Sequence, residues 1–534
     1  MTSDSTPAFN LLDEPWIPVQ THTGEVYEVS LTDALLNARD YTALAETSPP
    51  NLIALYRLLL AVLHRALTTQ HGPWKDADRA RWFREGLPEL PIRNYLEHWR
   101  DRFWLFHSTH PFMQVAVLAE AEETRDTKTM RPWAQLTLDY VSGNAPVVFD
   151  HSIDENPEQL TPARALRHLL GYLQFVPGGM VRRFRFRDES GPLDNVASVL
   201  PVGKTLSQTL CLALHPWSRN AIDDLPPWET EPPSAKQLRE AKATLPTGEV
   251  DRYTRLTRSV LFHTESARND KEISIRHVRF AAGLTMTTHD PGFPDGMAAY
   301  RKRGDNRISP VTFQDGRALW RDLPVLLPTS EQTYFAPAVV SNALNCLAFA
   351  GSDGTVSFIA AGTASDPVQC KVFRWRTERI DLPHALIAST DAVAEIRSLI
   401  SLAEGVYFRK GGLSWTLAEF VRLTLPDPNS SDTRERARTI RDKGPAAAVF
   451  FSTAERALPK LMHQIAAGDI DAADRDWKAT LVEAAKQSWE ATHRSLGDSP
   501  AALRADARTY PRFSGLLKSL VQSITETTAE EAAA

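Results

Sequence analysis

Residues 202–205, Val-Gly-Lys-Thr, end like a phosphate-binding P-loop, in which backbone N–H groups and a lysine cradle phosphates. That loop needs a further glycine five residues before Gly203, and position 198 is serine, so ATP binding is not expected. His107 and His110 have helical spacing for one metal ion, but Pro111 stops any helix at once and no third ligand follows. Hydrogen-bonded structural histidines are the better reading. His289 and Asp290 form a pair that metal-dependent nucleases use, yet Pro291 and Gly292 make the stretch a turn. Cys211, Cys346 and Cys370 lie far apart and suggest neither a zinc site nor a disulfide framework. No Gly-x-Ser-x-Gly elbow and no Cys/His nucleophile signature is present. The expectation is a protein that is not an enzyme, with no metal and no cofactor.

A different chemistry is offered by QFVPGGMVRRFRF, Gln174 to Phe186. Two glycines follow a proline, and arginines then alternate with phenylalanines. Read as one strand from Val181, the pattern puts Phe184 and Phe186 on one side and Arg183, Arg185 and Arg187 on the other, which is a basic face. Further basic clusters are Arg301 to Arg303, Lys371 to Arg379 and Arg434 to Arg441. A formal net charge of −6 excludes a stand-alone protein that coats nucleic acid by bulk electrostatics. Any contact with nucleic acid must be local.

The elements that position these residues follow from period and punctuation. FNLLDEPWIPV, Phe9 to Val19, reads as short strand pieces with a turn between them. Ser48 caps a helix with prolines in its first turn and an apolar stripe through Leu55, Leu59 and Leu63. Its apolar run, Leu52 to Leu67, is broken by Arg57, His64 and Arg65 and is too short to span a bilayer, so it reads as a buried helix. Aromatic residues between Trp82 and Gln114 are core material, and the charged stretch 119–130 reads as a mobile surface loop. Residues 142–160 read as a long exposed loop, of the kind more often functional than accidental. Thr161 and Pro162 open a helix that stops before Pro177. Residues 226–248 mark an excursion or boundary, residues 351–379 read as strands joined by turns, and from about Leu382 helical patterns dominate.

The chain of 534 residues is long enough for several domains, at roughly 150 residues each. Its 43% hydrophobic and 24% charged residues are those of an ordinary globular protein. No secretory signal opens it, and unpaired cysteines fit a reducing cytoplasm with no membrane. The fold class expected is α+β: a large mixed domain over residues 1–380, then a four-helix bundle over 381–534.

FNLLDEPWIPV at the start, HPFMQ (His110 to Gln114), SGN…F before a long loop, and a glycine-containing turn after the next helix occur together in this order. They resemble the large subunit of the type I-E CRISPR surveillance complex Cascade, the CasA family. The resemblance implies a non-catalytic subunit that recognises a protospacer-adjacent motif in double-stranded DNA, starts duplex opening and recruits a helicase-nuclease in antiviral defence. Guide RNA reads the sequence proper in such effectors, and protein reads only the short motif. Implied partners are the other Cascade subunits, CRISPR RNA, double-stranded target DNA and the helicase-nuclease effector.

The resemblance also assigns residues. Asn144 and Phe149 fall in the loop that reaches the 5′ end of the guide RNA and the motif region. Pro177, Gly178 and Gly179 match a glycine loop that approaches the minor groove, which is about 6 Å wide. Gln369, flanked by Val368 and Cys370, falls where the family places a wedge that enters the duplex. A lysine that reads the motif in a relative has no counterpart; either Arg276, Arg279 or Lys271 stands in, or another motif is preferred. Two rivals remain at this stage: a metal-dependent nuclease, and a pure scaffold subunit without DNA readout.

Overall fold

The computed structural model describes residues 7–137, 157–266, 273–304, 307–314, 316–328, 333–366 and 371–533. The chain forms two compact units. Met1–Gln314 with Pro328–Asp381 makes the first, and Asp315–Leu327 with Leu382–Ala534 makes the second. A short segment from mid-chain therefore packs among the C-terminal helices.

In the first unit, helices Pro49–Ala66 and Pro162–Phe175 lie together at the centre of the core. Ser48 stands at the cap position of the first, but its side chain makes no capping bond, and Pro50 supplies the first-turn geometry instead. Continued by the π-helical turn Leu67–His71, this helix runs 23 residues, long and apolar enough to cross a membrane. The expectation that it is too short is corrected. It is apolar because most of it is buried inside the first unit. The second helix starts as expected, with Thr161 Oγ1 accepting from the Arg164 N–H, and it ends at Phe175 before Pro177.

Small sheets surround these helices, and no single sheet dominates. Ile17–Thr21 pairs with Val26–Val29 and Tyr41–Leu44, and Ala8–Asn10 pairs with Trp104–Phe106. The FNLLDEPWIPV stretch is thus two strand pieces around a turn, with the Leu12 N–H bonded to Asn10 Oδ1 and the buried Trp16 indole donating to Leu11 O. HPFMQ is equally structural. Gln114 donates to Leu105 O at 2.7 Å and accepts the Phe262 N–H at 2.9 Å, tying strand Trp104–Phe106 to strand Arg258–Ser266. Residues 119–130, expected to be mobile, are tied down by the buried Thr124 and the Glu123–Arg239 ion pair. The proline-rich stretch 226–248 is no domain boundary: Trp228 stacks on Phe112 at 5.5 Å, and Arg65 grips Glu229 through two hydrogen bonds.

The second unit is a helical bundle, so the fold is α+β with a helical C-terminal part. Its four long helices, Thr390–Phe408, Ala446–Ala466, Ile470–Leu496 and Pro500–Ala533, are those the apolar spacing predicts. Leu413–Thr424 and Ser431–Lys443 join them unforeseen. The latter carries only one buried residue, Ala437, and so has no apolar stripe to read. Aromatic stacking fills the interior: Phe420 on Trp489 at 5.0 Å, and Trp489 on Phe513 at 4.4 Å.

Candidate nucleic-acid interface

After the helix ends at Phe175, Pro177 and Gly178 lead into strand Gly179–Arg183, which pairs antiparallel with Arg185–Asp188. The expected single strand with a basic face is corrected here. The chain reverses at Phe184, where Arg182 and Phe184 both take a left-handed φ of 61°. The two phenylalanines part company. Phe184 packs against the core under the Arg239 guanidinium, and Phe186 is 64% exposed. Arg185 is drawn inward to Asp188, Leu238 O, Gly283 O and Thr285. These acceptors offset the cost of desolvating the guanidinium, and that outcompetes the alternation.

A buried network locks this hairpin from beneath. Asp188 accepts from Arg185 at 2.6 Å and from the Gly283 N–H at 2.8 Å, and it forms an ion pair with Arg258 at 3.1 Å. Arg258 in turn donates to Pro177 O at 3.0 Å and Glu189 O at 2.6 Å. The glycine turn is therefore held rigidly by a cation that no local pattern announces. Neither Gly178 nor Gly179 adopts a positive φ. A Cβ on Gly178 would touch the Ser190 nitrogen at 3.2 Å, whereas one on Gly179 would meet nothing within 4 Å. The fold itself makes no demand for glycine at 179.

Asp194 lies close enough to feel Arg258. Burial pushes its carboxyl up to about 7, against the opposing pull of Arg258 and a hydrogen bond from Asn195. Between the ordinary carboxyl value of about 3.9 and that raised value, the folded protein holds a proton that the unfolded chain has lost. Stability from this group therefore falls as pH rises through that window. The slope is at most about 1.4 kcal/mol per pH step of one. Asp194→Asn removes this trend, which urea unfolding compared between pH 5 and pH 8 measures.

Strand Ile273–Ala282 flanks the hairpin and pairs with Arg258–Ser266 and Arg131–Pro132. Arg276 donates to Pro157 O at 2.8 Å and Arg279 donates to Thr124 O, so each half-buried arginine already holds a neighbouring loop. Asn144, Phe149, Lys271, Val368, Gln369 and Cys370 lie outside the described residues. Beside Pro177 and Gly179 runs a groove of about 290 Å³, lined also by Arg131, Tyr172, Arg258 and Phe280. Arg131 and Arg258 were missed in the sequence. Arg131 reaches this face only because its strand pairs with Val278.

The other chemical candidates resolve as structure. Gly203 and Lys204 do sit between a strand and a helix, but their N–H groups are taken by Thr209 Oγ1 and Gln208 Oε1. The N–H groups of Thr109 and His110 both donate to His107 Nδ1, and Asp290 accepts the Gly292 N–H in a turn. Cys211 and Cys346 are buried, and burial raises both thiols. Among the described residues no three His, Cys, Asp or Glu side chains gather as metal ligands.

The chain thus combines a mixed α+β unit, in which a glycine turn borders an arginine-lined groove, with a helical bundle. The family model described as CRISPR-associated protein Cse1 matches residues 10–488. A CasA/Cse1 protein of Thermus thermophilus is 32% identical over 533 residues, covering 97% of this chain and 99% of its own. The crystal structure of Thermus thermophilus CasA superposes with a TM-score of 0.80 at 30% identity, covering 96% of this chain and 99% of that one. Acidimicrobium ferrooxidans Cse1 shares the fold, with a TM-score of 0.76 at 22% identity over 97% of this chain and 99% of its own. The chain belongs to the Cse1 (CasA) family, the large subunit of the type I-E CRISPR surveillance complex Cascade.

Proposed function

We propose that this chain, assembled with the other Cascade subunits and CRISPR RNA, examines double-stranded DNA for a short adjacent motif. In this reading it starts duplex opening beside the motif and recruits the helicase-nuclease, without catalysing a reaction itself. The supporting observation is Gly179, an exposed glycine on a turn clamped by buried charges, at a place where neither backbone conformation nor packing requires one. A missing side chain there serves something outside the chain, and the close approach of backbone to a narrow DNA groove is such a use. Arg276 and Arg279 brace the loops around the turn and are the proposed side-chain contacts to the motif.

Residues 367–370, which include Val368, Gln369 and Cys370, join the neighbouring strands Thr355–Asp366 and Lys371–Pro383. They are the proposed wedge. A side chain inserted between base pairs costs a few kcal/mol of unstacking, offset by contacts to the opened bases. Asn144 and Phe149 are the proposed contacts to the 5′ end of the guide RNA, which makes residues 1–380 the proposed recognition domain, followed by the bundle over 381–534.

The experiment compares complexes carrying Gly179→Ala or Gly179→Asp. Gly179→Ala unfolds at the wild-type temperature, because its methyl enters open space. Gly179→Asp leaves the complex assembled and single-stranded target binding intact, and weakens duplex binding more than tenfold, since a carboxylate is carried toward phosphates (about 1.4 kcal/mol per factor of ten). Gln369→Ala gives the same pattern. Equal loss on both substrates rejects the reading, and motif discrimination that survives removal of this subunit makes it a scaffold.

A further inference from the structure

Two cavities of different electrostatic character lie in the first unit. The larger, about 720 Å³, mixes arginines with Asp223, Glu231, Glu240 and Asp251, and both arginines are paired, as Arg102–Glu231 and Arg255–Asp251. The smaller, beside the glycine turn, has no acidic residue in its lining. Of its two arginines, Arg258 is neutralised by Asp188. Arg131, which is exposed, is not: among the described residues it has no carboxylate partner.

A second unbalanced cation reaches the strand that carries the first: Arg131 pairs with Val278, and Arg183 bonds to Phe280, two residues further along. Arg183 is half-buried and donates to the carbonyl of the lining Phe280 at 3.2 Å, with no carboxylate partner among the described residues. Burial first, and then the neighbouring Arg131 charge, pull its pKa below the ordinary value. Two neighbouring guanidinium groups with no carboxylate partner among the described residues are relieved by an anion between them, and their planar forks suit phosphate oxygens. The rest of the groove suits what a phosphate carries. Tyr172 and Phe280 meet edge to face at 6.1 Å, and Met180, 61% exposed, overhangs them. A volume of about 290 Å³ is at the small end of ligand sites, enough for one unit of a chain rather than several.

We propose that this groove takes a single nucleotide, its phosphate between Arg131 and Arg183 and its sugar or base against Tyr172, Phe280 and Met180. The inference rests on the nucleic-acid reading above and adds a backbone contact on the same face. Target DNA and guide RNA both offer that chemistry.

The test uses the assembled complex with Arg131→Ala, Arg183→Ala and the double variant, with Arg183→Lys as the charge-retaining control. Binding of duplex target is measured across a salt series, and guide-RNA retention is measured without DNA. If the duplex supplies the nucleotide, the double variant binds about tenfold more weakly. Its log-affinity against log-salt slope also drops by about one, with motif preference unchanged. If the guide supplies it, RNA is lost faster and the duplex slope stays as in wild type. Arg131 is exposed, so its variant keeps the fold. Wild-type values in both arms overturn the clamp. Should Gly179→Asp still weaken duplex binding more than tenfold in that case, the clamp fails and the parent reading stands. A wild-type complex that ignores the motif sinks the parent reading alone.

Discussion

Asp188→Asn should destabilise the first unit by about 3–5 kcal/mol and loosen the glycine turn at the same time. Asp188 is fully buried and is the counter-charge for Arg258, itself almost inaccessible to solvent. It also receives Arg185, the Gly283 N–H and the Thr285 hydroxyl. An amide in its place keeps the shape but leaves a buried guanidinium without a counter-ion, and that uncompensated charge dominates the loss. Arg258 then keeps only its carbonyl acceptors, among them Pro177 O and Glu189 O, and holds the turn less firmly, so duplex binding should fall along with the unfolding free energy. Arg182→Ala, at an exposed neighbour on the same hairpin, should leave unfolding within about 0.5 kcal/mol of wild type. Denaturant unfolding of both variants decides it. A loss below about 1 kcal/mol for Asp188→Asn would mean that the network contributes no more than a surface pair.

Arg57→Met is the second large effect, in the interior of the same unit. Arg57 meets Asp295 at 2.6 Å with both side chains sealed from solvent, and it holds Gln174 at 2.9 Å through its other amino group. Burial pushes the Asp295 carboxyl up, but Arg57, Arg252 and hydrogen bonds outweigh it and hold the group below its ordinary value. Methionine fills much of the volume without the charge, and about 3–5 kcal/mol should be lost at neutral pH. Without Arg57 the balance at Asp295 tips toward the neutral acid. Its folded-state pKa then exceeds the unfolded one, and the penalty shrinks as pH falls and the proton is taken up. Adding Asp295→Asn should recover part of the loss, and the double-mutant cycle measures the pair. A loss that is flat with pH would show that packing, not charge, sets the cost.

Much of the fold was legible in the sequence because the signals are local. The prolines after Ser48, and Thr161 with Pro162, mark helix starts, and Pro177 marks a helix end. Apolar spacing marks the four long bundle helices, and the polar helix Ser431–Lys443 escaped because it buries almost nothing. The hairpin was misread for a related reason. Alternation of Arg and Phe over 181–187 is compatible with one straight strand, and only acceptors from distant segments, Leu238, Gly283 and Thr285, turn Arg185 inward and let the chain reverse.

The candidate interface divides in the same way. Glycines 178 and 179 stand out in the sequence, since proline followed by two glycines is a local mark, and so does the family resemblance carried by FNLLDEPWIPV and HPFMQ. Local pattern was thus enough for the class of fold, the place of the turn and the family. It took the folded chain to settle which arginines are bound into the scaffold, as Arg185 and Arg258 are, and which have no carboxylate partner among the described residues, as with Arg131 in the groove and Arg183 at the carbonyl of the lining Phe280. A charge is paired or unpaired according to what lies within a few ångströms. For Arg131, Arg183 and Arg258 those neighbours come from segments up to about 150 residues apart, brought together only by strand pairing and burial of the shared core.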